Sequence, residues 1–272
     1  MPSHPTGIRF SRLLLTGAAG HLGQILRDRL KPYCRSLRLS DRETLAEAGQ
    51  GEEIVLADLA DRAAVEAMTL GVDAVVHLGG ASTEQPWEPI FAGNIVGMHN
   101  LYEGVRRNGV KRVVFASSNH VTGFYRQDEV ISPKHPVRPD GLYGLSKAFG
   151  ENLAQLYWDR HRIETVSLRI GSSFAEPRDR RMLATWLGFD DLERLVVAAL
   201  TAPVVGHSVI YGMSDNTGTW WDNTPARHIG YHPQESSERF CTAVESRQLP
   251  LDLDDPAVVY QGGGFVTQGR KD

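Results

Sequence analysis

Short apolar runs alternate with amphipathic stretches along most of this chain, as they do where strands and helices take turns. Arg12-Leu-Leu-Leu-Thr16 enters a glycine-rich turn, and Leu22, Ile25, Leu26 and Leu30 then recur on one side of a helix. A second apolar run, Leu37 to Leu39, ends at Asp41, and a short strand over 53–56 precedes a helix near 62–68. The stretch 73–78 is almost wholly apolar, as expected of a strand covered by helices on both faces. The spacing of Ile90, Ile95, Met98, Leu101 and Val105 predicts one long helix over about 89–107. Strands over 112–116 and 165–169 bracket a helix that begins near Tyr143. Beyond Arg169 the period loosens. Residues 190–200 read as a helix, 204–211 as a strand, and the remainder, with Trp220, Trp221, His228 and His232, as loop. The order predicts an α/β fold, a doubly wound parallel sheet with right-handed crossovers. Its core spans 12–170, a small C-terminal substrate-binding subdomain spans 171–272 on the same domain, and 1–11 form a flexible lead-in.

Composition acts by exclusion. A chain of 272 residues fits one doubly wound domain. Its formal net charge of -4 gives no footprint for nucleic acid or an anionic membrane. No apolar run approaches the ~20 residues that span a bilayer, and the first eleven residues lack the apolar core of a signal peptide. The two cysteines, Cys34 and Cys241, show no metal-type spacing. A reduced, cytoplasmic protein is expected, without metal, nucleic-acid or membrane partners.

The candidate chemistry clusters at predicted strand ends, where ligands of open α/β sheets sit. Gly17, Gly20 and Gly23 stand at G-x-x-G-x-x-G spacing between a strand and a helix. That arrangement lets a pyrophosphate approach backbone N–H groups at the positive end of a helix, as in a Rossmann fold. Asp41, about 20 residues on, is placed to hold an adenosine ribose diol, which predicts NAD; the neighbouring Arg42 is a group that can tolerate a 2′-phosphate. Tyr143 and Lys147 are four residues apart, so on a helix their side chains share a face. A lysine cation there is expected to lower the phenol from its usual ~10 towards the range of a general base. Ser118, in Ser117-Ser118-Asn119-His120, is positioned to hydrogen-bond a substrate oxygen. His120 is either a base or a polar contact and is assigned to binding. Asn94 and Asn100 read as caps or water bridges without a catalytic role.

Thr16-Gly-Ala-Ala-Gly-His-Leu-Gly23, Asp58-Leu59, Ser117-Ser118 and Tyr143-x-x-x-Lys147 together resemble the extended short-chain dehydrogenase/reductase family. Longer strings are similar to its uronate-oxidising branch: His77-Leu-Gly-Gly80, Phe115-Ala-Ser-Ser-Asn-His120, Pro139-Asp-Gly-Leu-Tyr-Gly144, Phe149-Gly-Glu-Asn-Leu153, Arg169-Ile-Gly-Ser172, Arg181-Met-Leu, Trp220-Trp-Asp-Asn223 and Gln261-Gly-Gly. The resemblance implies oxidation of D-glucuronate or D-galacturonate at C1 with NAD, and a homo-oligomer. Tyr143 would be the base, Lys147 and Ser118 its catalytic partners. NAD would lie against Gly17, Gly20, His21, Leu22, Gly23, Asp41, Asp58, Leu59, Leu78, Gly79, Gly80, Ser117, Tyr143, Lys147 and Ile170. The sugar would contact Ser82, Ser118, Asn119, His120, Ser172 and Arg181, with the Arg181 fork on the carboxylate. Two other classes share much of this pattern: a nucleotide-sugar epimerase or dehydratase, and a dinucleotide sensor without catalysis. The stretch after Lys147 shows no second nucleotide site, which speaks against the first. A sensor would have no use for Tyr143 with Lys147.

Overall fold

The computed structural model describes residues 8–268. Its centre is β1, Phe10–Thr16, whose Leu13, Leu14 and Leu15 are fully buried. Side chains alternate across a strand, so Leu13 and Leu15 face one helical layer and Leu14 the other. Leu13 and Leu15 pack with Leu26 and Leu30 of α1 (His21–Leu30) and with Leu192 and Leu195 of a later helix. Leu14 packs with Met68, Leu101 and Ala154 from three helices on the opposite face. Burial on both faces explains why the strand sequences are continuous rather than alternating.

The chain continues through β2 (Cys34–Ser40), β3 (Glu52–Ile54), α2 (Arg62–Thr69), β4 (Ala74–His77), α3 (Trp87–Ile90), α4 (Gly97–Arg107), β5 (Arg112–Ser118), α5 (Leu142–His161) and β6 (Glu164–Ile170). Then come α6 (Arg180–Thr185), α7 (Phe189–Thr201), β7 (His207–Gly212), α8 (Cys241–Glu245) and α9 (Pro256–Val259). The seven strands pair in parallel in the order β3-β2-β1-β4-β5-β6-β7. This is the predicted doubly wound sheet, with its topological switch between β1 and β4. Because α7 packs on α1 and β7 pairs with β6, the sheet itself continues past residue 170. No helix among the described residues is long and apolar enough to cross a membrane.

Three elements differ from the sequence reading. β1 begins at Phe10, so the end of the predicted lead-in belongs to the sheet; residues 1–7 lie outside the described ones. The long helix over 89–107 is interrupted by a wide π turn, Phe91–Val96, between α3 and α4. The extra residue turns Asn94 inward and leaves Ile95, assigned to the core stripe, only half-buried. A six-residue helix, α6, stands where no helix was expected; Asp179 caps it by accepting from Met182 N–H at 2.7 Å.

Past β7 the chain forms a smaller apolar cluster in which Tyr211, Met213, Trp220 and Trp221 pack with Tyr125 and Ile131. Gln261, buried, fastens the end of the chain to it. It donates to the Arg126 and Glu129 carbonyls at 2.9 Å each and accepts from Trp221 Nε1–H at 3.0 Å. The segment Gly263–Thr267 is thereby returned to the sheet's C-terminal edge.

Candidate active site

The strand ends open onto one cleft of about 740 Å³, large for a small-molecule site and roomy enough for a dinucleotide with a second ligand. Every residue assigned from the sequence to cofactor, sugar or catalysis lines it. At one end the glycine turn is built for backbone approach. Gly17 has φ 70°, and a Cβ there would lie 2.7 Å from Leu78 C and Gly79 N. A Cβ on Gly23 would overlap the Gly17 carbonyl, so helix α1 could not start so close to the turn. Asp41 at the end of β2 accepts from Ala19 N–H at 3.0 Å and from Glu43 N–H at 3.1 Å, which anchors its carboxylate beside the turn. His77, buried and with its pKa down at about 3 from desolvation, shares a hydrogen bond of 2.7 Å between its Nδ1 and the Thr16 hydroxyl. The Thr16 oxygen in turn accepts from Gly79 N–H at 3.3 Å, tying the two strand ends across the switch point. This cradle, open backbone N–H groups and a carboxylate together, fits the pyrophosphate and ribose of a dinucleotide.

In the middle of the cleft lie Ser118, Tyr143 and Lys147, all buried. The Lys147 ammonium donates to the Ala116 carbonyl at 2.8 Å and sits 5.6 Å from the Tyr143 ring centre. The expected lowering of the phenol pKa is not what this geometry produces. Burial pushes Tyr143 up to about 12, and the nearby Ser118 hydroxyl pulls it back only in part. Desolvation also takes Lys147 down to about 8. Both groups resist charging for one reason, the loss of water. Spacing alone reveals the partners but not their desolvation.

The lysine shift carries a stability prediction. Its folded pKa lies below the 10.5 of the free group, so the protonated form is penalised below pH 8 and the deficit closes as pH rises towards 10.5. Lys147→Met should therefore unfold at higher urea at pH 7, by ~1–2 kcal/mol after loss of the Ala116 bond. The gain should vanish above pH 10.5. A variant no more stable than the parent at pH 7 contradicts the desolvation account.

Two assigned hydroxyls point elsewhere. Ser117 donates to Glu151 Oε1 at 2.7 Å, and Glu151 forms a buried, two-pronged pair with Arg169 at 2.9 and 2.8 Å. Its hydroxyl serves the interior although the residue lines the cleft. Ser172 Oγ is within 2.9 Å of Thr185 Oγ1, where it joins the β6 end to α6.

The far end of the cleft holds a cation. Arg181, half-buried, donates from Nε to the Gln261 carbonyl at 2.6 Å and from Nη2 to the Asn119 side-chain oxygen at 2.6 Å. Asn119 is fixed by its own donation to the Ile170 carbonyl at 3.0 Å. Among the described residues no carboxylate lies within ion-pair distance of Arg181, and desolvation lowers its pKa. Beside it His120 Nδ1 lies 2.6 Å from Asp140 Oδ2. Desolvation lowers the His120 pKa although Asp140 opposes it.

Sequence reading missed Asp140, Glu84 and Phe265. Phe265 stacks on His120 with ring centres 3.8 Å apart and lines the cleft from the C-terminal segment. Asp140 stands in the Pro139-to-Gly144 string, close enough to Tyr143 to have been suspected. For Phe265 no periodicity or motif gives a signal. Asn94, read as a cap, instead clasps Ala81, accepting from its N–H at 2.7 Å and donating to its carbonyl at 3.1 Å.

Fold and cleft define a dinucleotide-fold protein with a Ser–Tyr–Lys centre. Residues 13–203 match the model of the NAD dependent epimerase/dehydratase family, and the chain belongs to that family. It is 56% identical over 268 residues to a uronate dehydrogenase of Pseudomonas syringae pv. tomato, covering 98% of this chain and 97% of the relative. A crystal structure of glucuronic acid dehydrogenase from Chromohalobacter salexigens is 49% identical, with TM-score 0.94 over 96% of this chain and 98% of that one. A uronate dehydrogenase structure from Agrobacterium tumefaciens, a tyrosine-to-alanine mutant complexed with NAD, is also 49% identical, with TM-score 0.92 over 94% and 97% of the two chains.

Proposed function

We propose that this chain oxidises the cyclic form of a hexuronic acid, D-glucuronate or D-galacturonate, at C1 to the aldarolactone with NAD+. The observation that carries the substrate class is the unpaired guanidinium of Arg181 in a cleft that also holds Tyr143. Asp179 and Asp140 act on this guanidinium only from beyond ion-pair distance, and an incoming carboxylate supplies a direct, charge-assisted partner. Relatives 49–56% identical are named as uronate or glucuronic acid dehydrogenases, which supports a uronate as substrate.

In this reaction the residues divide the work. Arg181, with Asn119 holding one edge of its fork, fixes the carboxylate end of the sugar. Ser118 donates to or accepts from the C1 hydroxyl, whose proton passes to the Tyr143 phenolate. Lys147 places a positive charge beside that phenolate. The Gly17–Gly23 turn and Asp41 would hold NAD+, which would supply the acceptor for the hydride leaving C1. The C1 hydrogen leaves with the bonding pair, the hydroxyl proton goes to Tyr143, and the C1–O bond becomes the lactone carbonyl.

Mixing the protein with D-glucuronate or D-galacturonate and NAD+ should give NADH in step with lactone seen by carbon NMR. An epimerase would return the hydride, so conversion of a nucleotide sugar without NADH accumulation would overturn the proposal.

Cofactor choice is a second test. Asp41 repels a 2′-phosphate and accepts from a ribose diol, while Arg42 lies exposed and pairs with Glu43 at 3.3 Å. NAD+ should therefore be strongly preferred, and Asp41→Ala should weaken NAD+ more than NADP+. Equal use of both by the unaltered protein would remove Asp41 from the discrimination.

A further inference from the structure

Helix α5 carries Tyr143 in its first turn, yet its N-cap residue is Gly141, which has no side chain for the free N–H groups there. Glu84 caps the helix from a loop distant in sequence. Its Oε1 accepts from Leu142 N–H at 3.0 Å and its Oε2 from Tyr143 N–H at 2.9 Å. A Cβ at Gly141 would collide with Glu84 Oε2, so a glycine is what lets the carboxylate reach both donors. Glu84 belongs to the loop between β4 and α3, the loop that presents Gly79, Gly80 and Ser82 to the cleft. The Tyr143 carbonyl is tied to the same loop. It accepts from Ser146 Oγ at 2.7 Å, and that hydroxyl accepts from Asn94 Nδ2 at 2.8 Å, the side chain that clasps Ala81.

We infer that Glu84 is a positioning residue for Tyr143, locking the phenol-bearing turn of α5 to the loop that carries Ser82 so that base and substrate loop move as one body. The inference rests on Tyr143 being the base, as proposed above. A cap needed only for helix stability could come from a Ser or Asp at 141. Here the cap reaches in from a distant loop, and both peptide groups of Tyr143 are fastened to that loop. Small displacements of a reacting group are expensive: ~1 Å costs on the order of 100-fold in rate.

The test is a double-mutant cycle with uronate and NAD+, using Glu84→Ala and Glu84→Gln in the unaltered protein and in Tyr143→Phe. Glu84→Ala should lower kcat by ~10- to 100-fold while the KM for NAD+ stays within about twofold. Glu84→Gln keeps the shape and one acceptor oxygen and should recover part of the loss. In the Tyr143→Phe background Glu84→Ala should cost less than about threefold more, because its effect runs through the phenol. An unchanged kcat, or the same loss in both backgrounds, would overturn the inference and leave Glu84 as a plain helix cap. Amide hydrogen exchange over 142–146 gives an arm that needs no turnover. It should rise in Glu84→Ala without a matching fall in Tm, and unchanged exchange also overturns the inference. Absence of uronate turnover in the unaltered protein would count against the proposed function, while unchanged exchange in Glu84→Ala would still overturn the role of Glu84.

Discussion

Tyr143→Phe should lower kcat by at least ~100-fold, the lower range of what a positioned acid–base group contributes. The change removes one oxygen from a buried ring, so the fold should persist and NAD+ affinity should barely move. A pH dependence should disappear with it. Burial holds the phenol up at about 12, so the fraction of phenolate grows as pH rises. Oxidation needs the phenolate, and kcat/KM of the unaltered protein should climb from neutral to alkaline pH. In Tyr143→Phe the residual rate should be nearly flat over the same range. Turnover close to that of the parent, or an unchanged pH profile, would take Tyr143 out of the mechanism.

Arg181→Ala should cost roughly 2–4 kcal/mol in transition-state binding of a uronate, the range for removing one partner of a desolvated charged hydrogen bond. The loss should fall mainly on the KM for the sugar, since the guanidinium holds a group remote from C1. It should also free Asn119, whose oxygen now accepts from Arg181 Nη2 at 2.6 Å. Arg181→Lys keeps the charge but cannot hold the Gln261 carbonyl, Asn119 and a carboxylate with one planar fork, so it too should raise the KM. Steady-state kinetics with glucuronate check both variants. Kinetics unchanged in Arg181→Ala would detach the carboxylate from this residue and leave Tyr143 chemistry untouched.

Much of the sheet was legible because its strands are buried on both faces. Leu13 to Leu15 and the apolar stretch ending at His77 announce themselves without any knowledge of their neighbours. The glycine turn and the Tyr143–Lys147 pair were legible for a similar reason, since their chemistry depends on local spacing. What could not be read depends on contacts made at a distance. Asn94 interrupts the 89–107 helix because Ala81 and Ser146 are there to receive it, and nothing nearby in sequence says so. Glu84 looks like any loop glutamate until α5 arrives beside it. The phenol pKa was expected in the wrong direction because proximity of a lysine is visible in sequence and burial of both groups is not. Arg181 carries no distinctive local pattern; its assignment came through family resemblance. That no carboxylate among the described residues pairs with it directly became visible only in the folded chain.

The central claim is that a carboxylate on the sugar is what the Arg181 end of the cleft selects. Its most direct test is the ratio of kcat/KM for D-glucuronate to that for D-glucose, measured side by side with NAD+ on the unaltered protein. The two sugars differ by a carboxylate in place of a neutral hydroxymethyl group. A charge-assisted partner worth ~2–4 kcal/mol predicts a preference for glucuronate of about 30-fold to 1,000-fold. Equal efficiency on glucose and glucuronate would contradict the account.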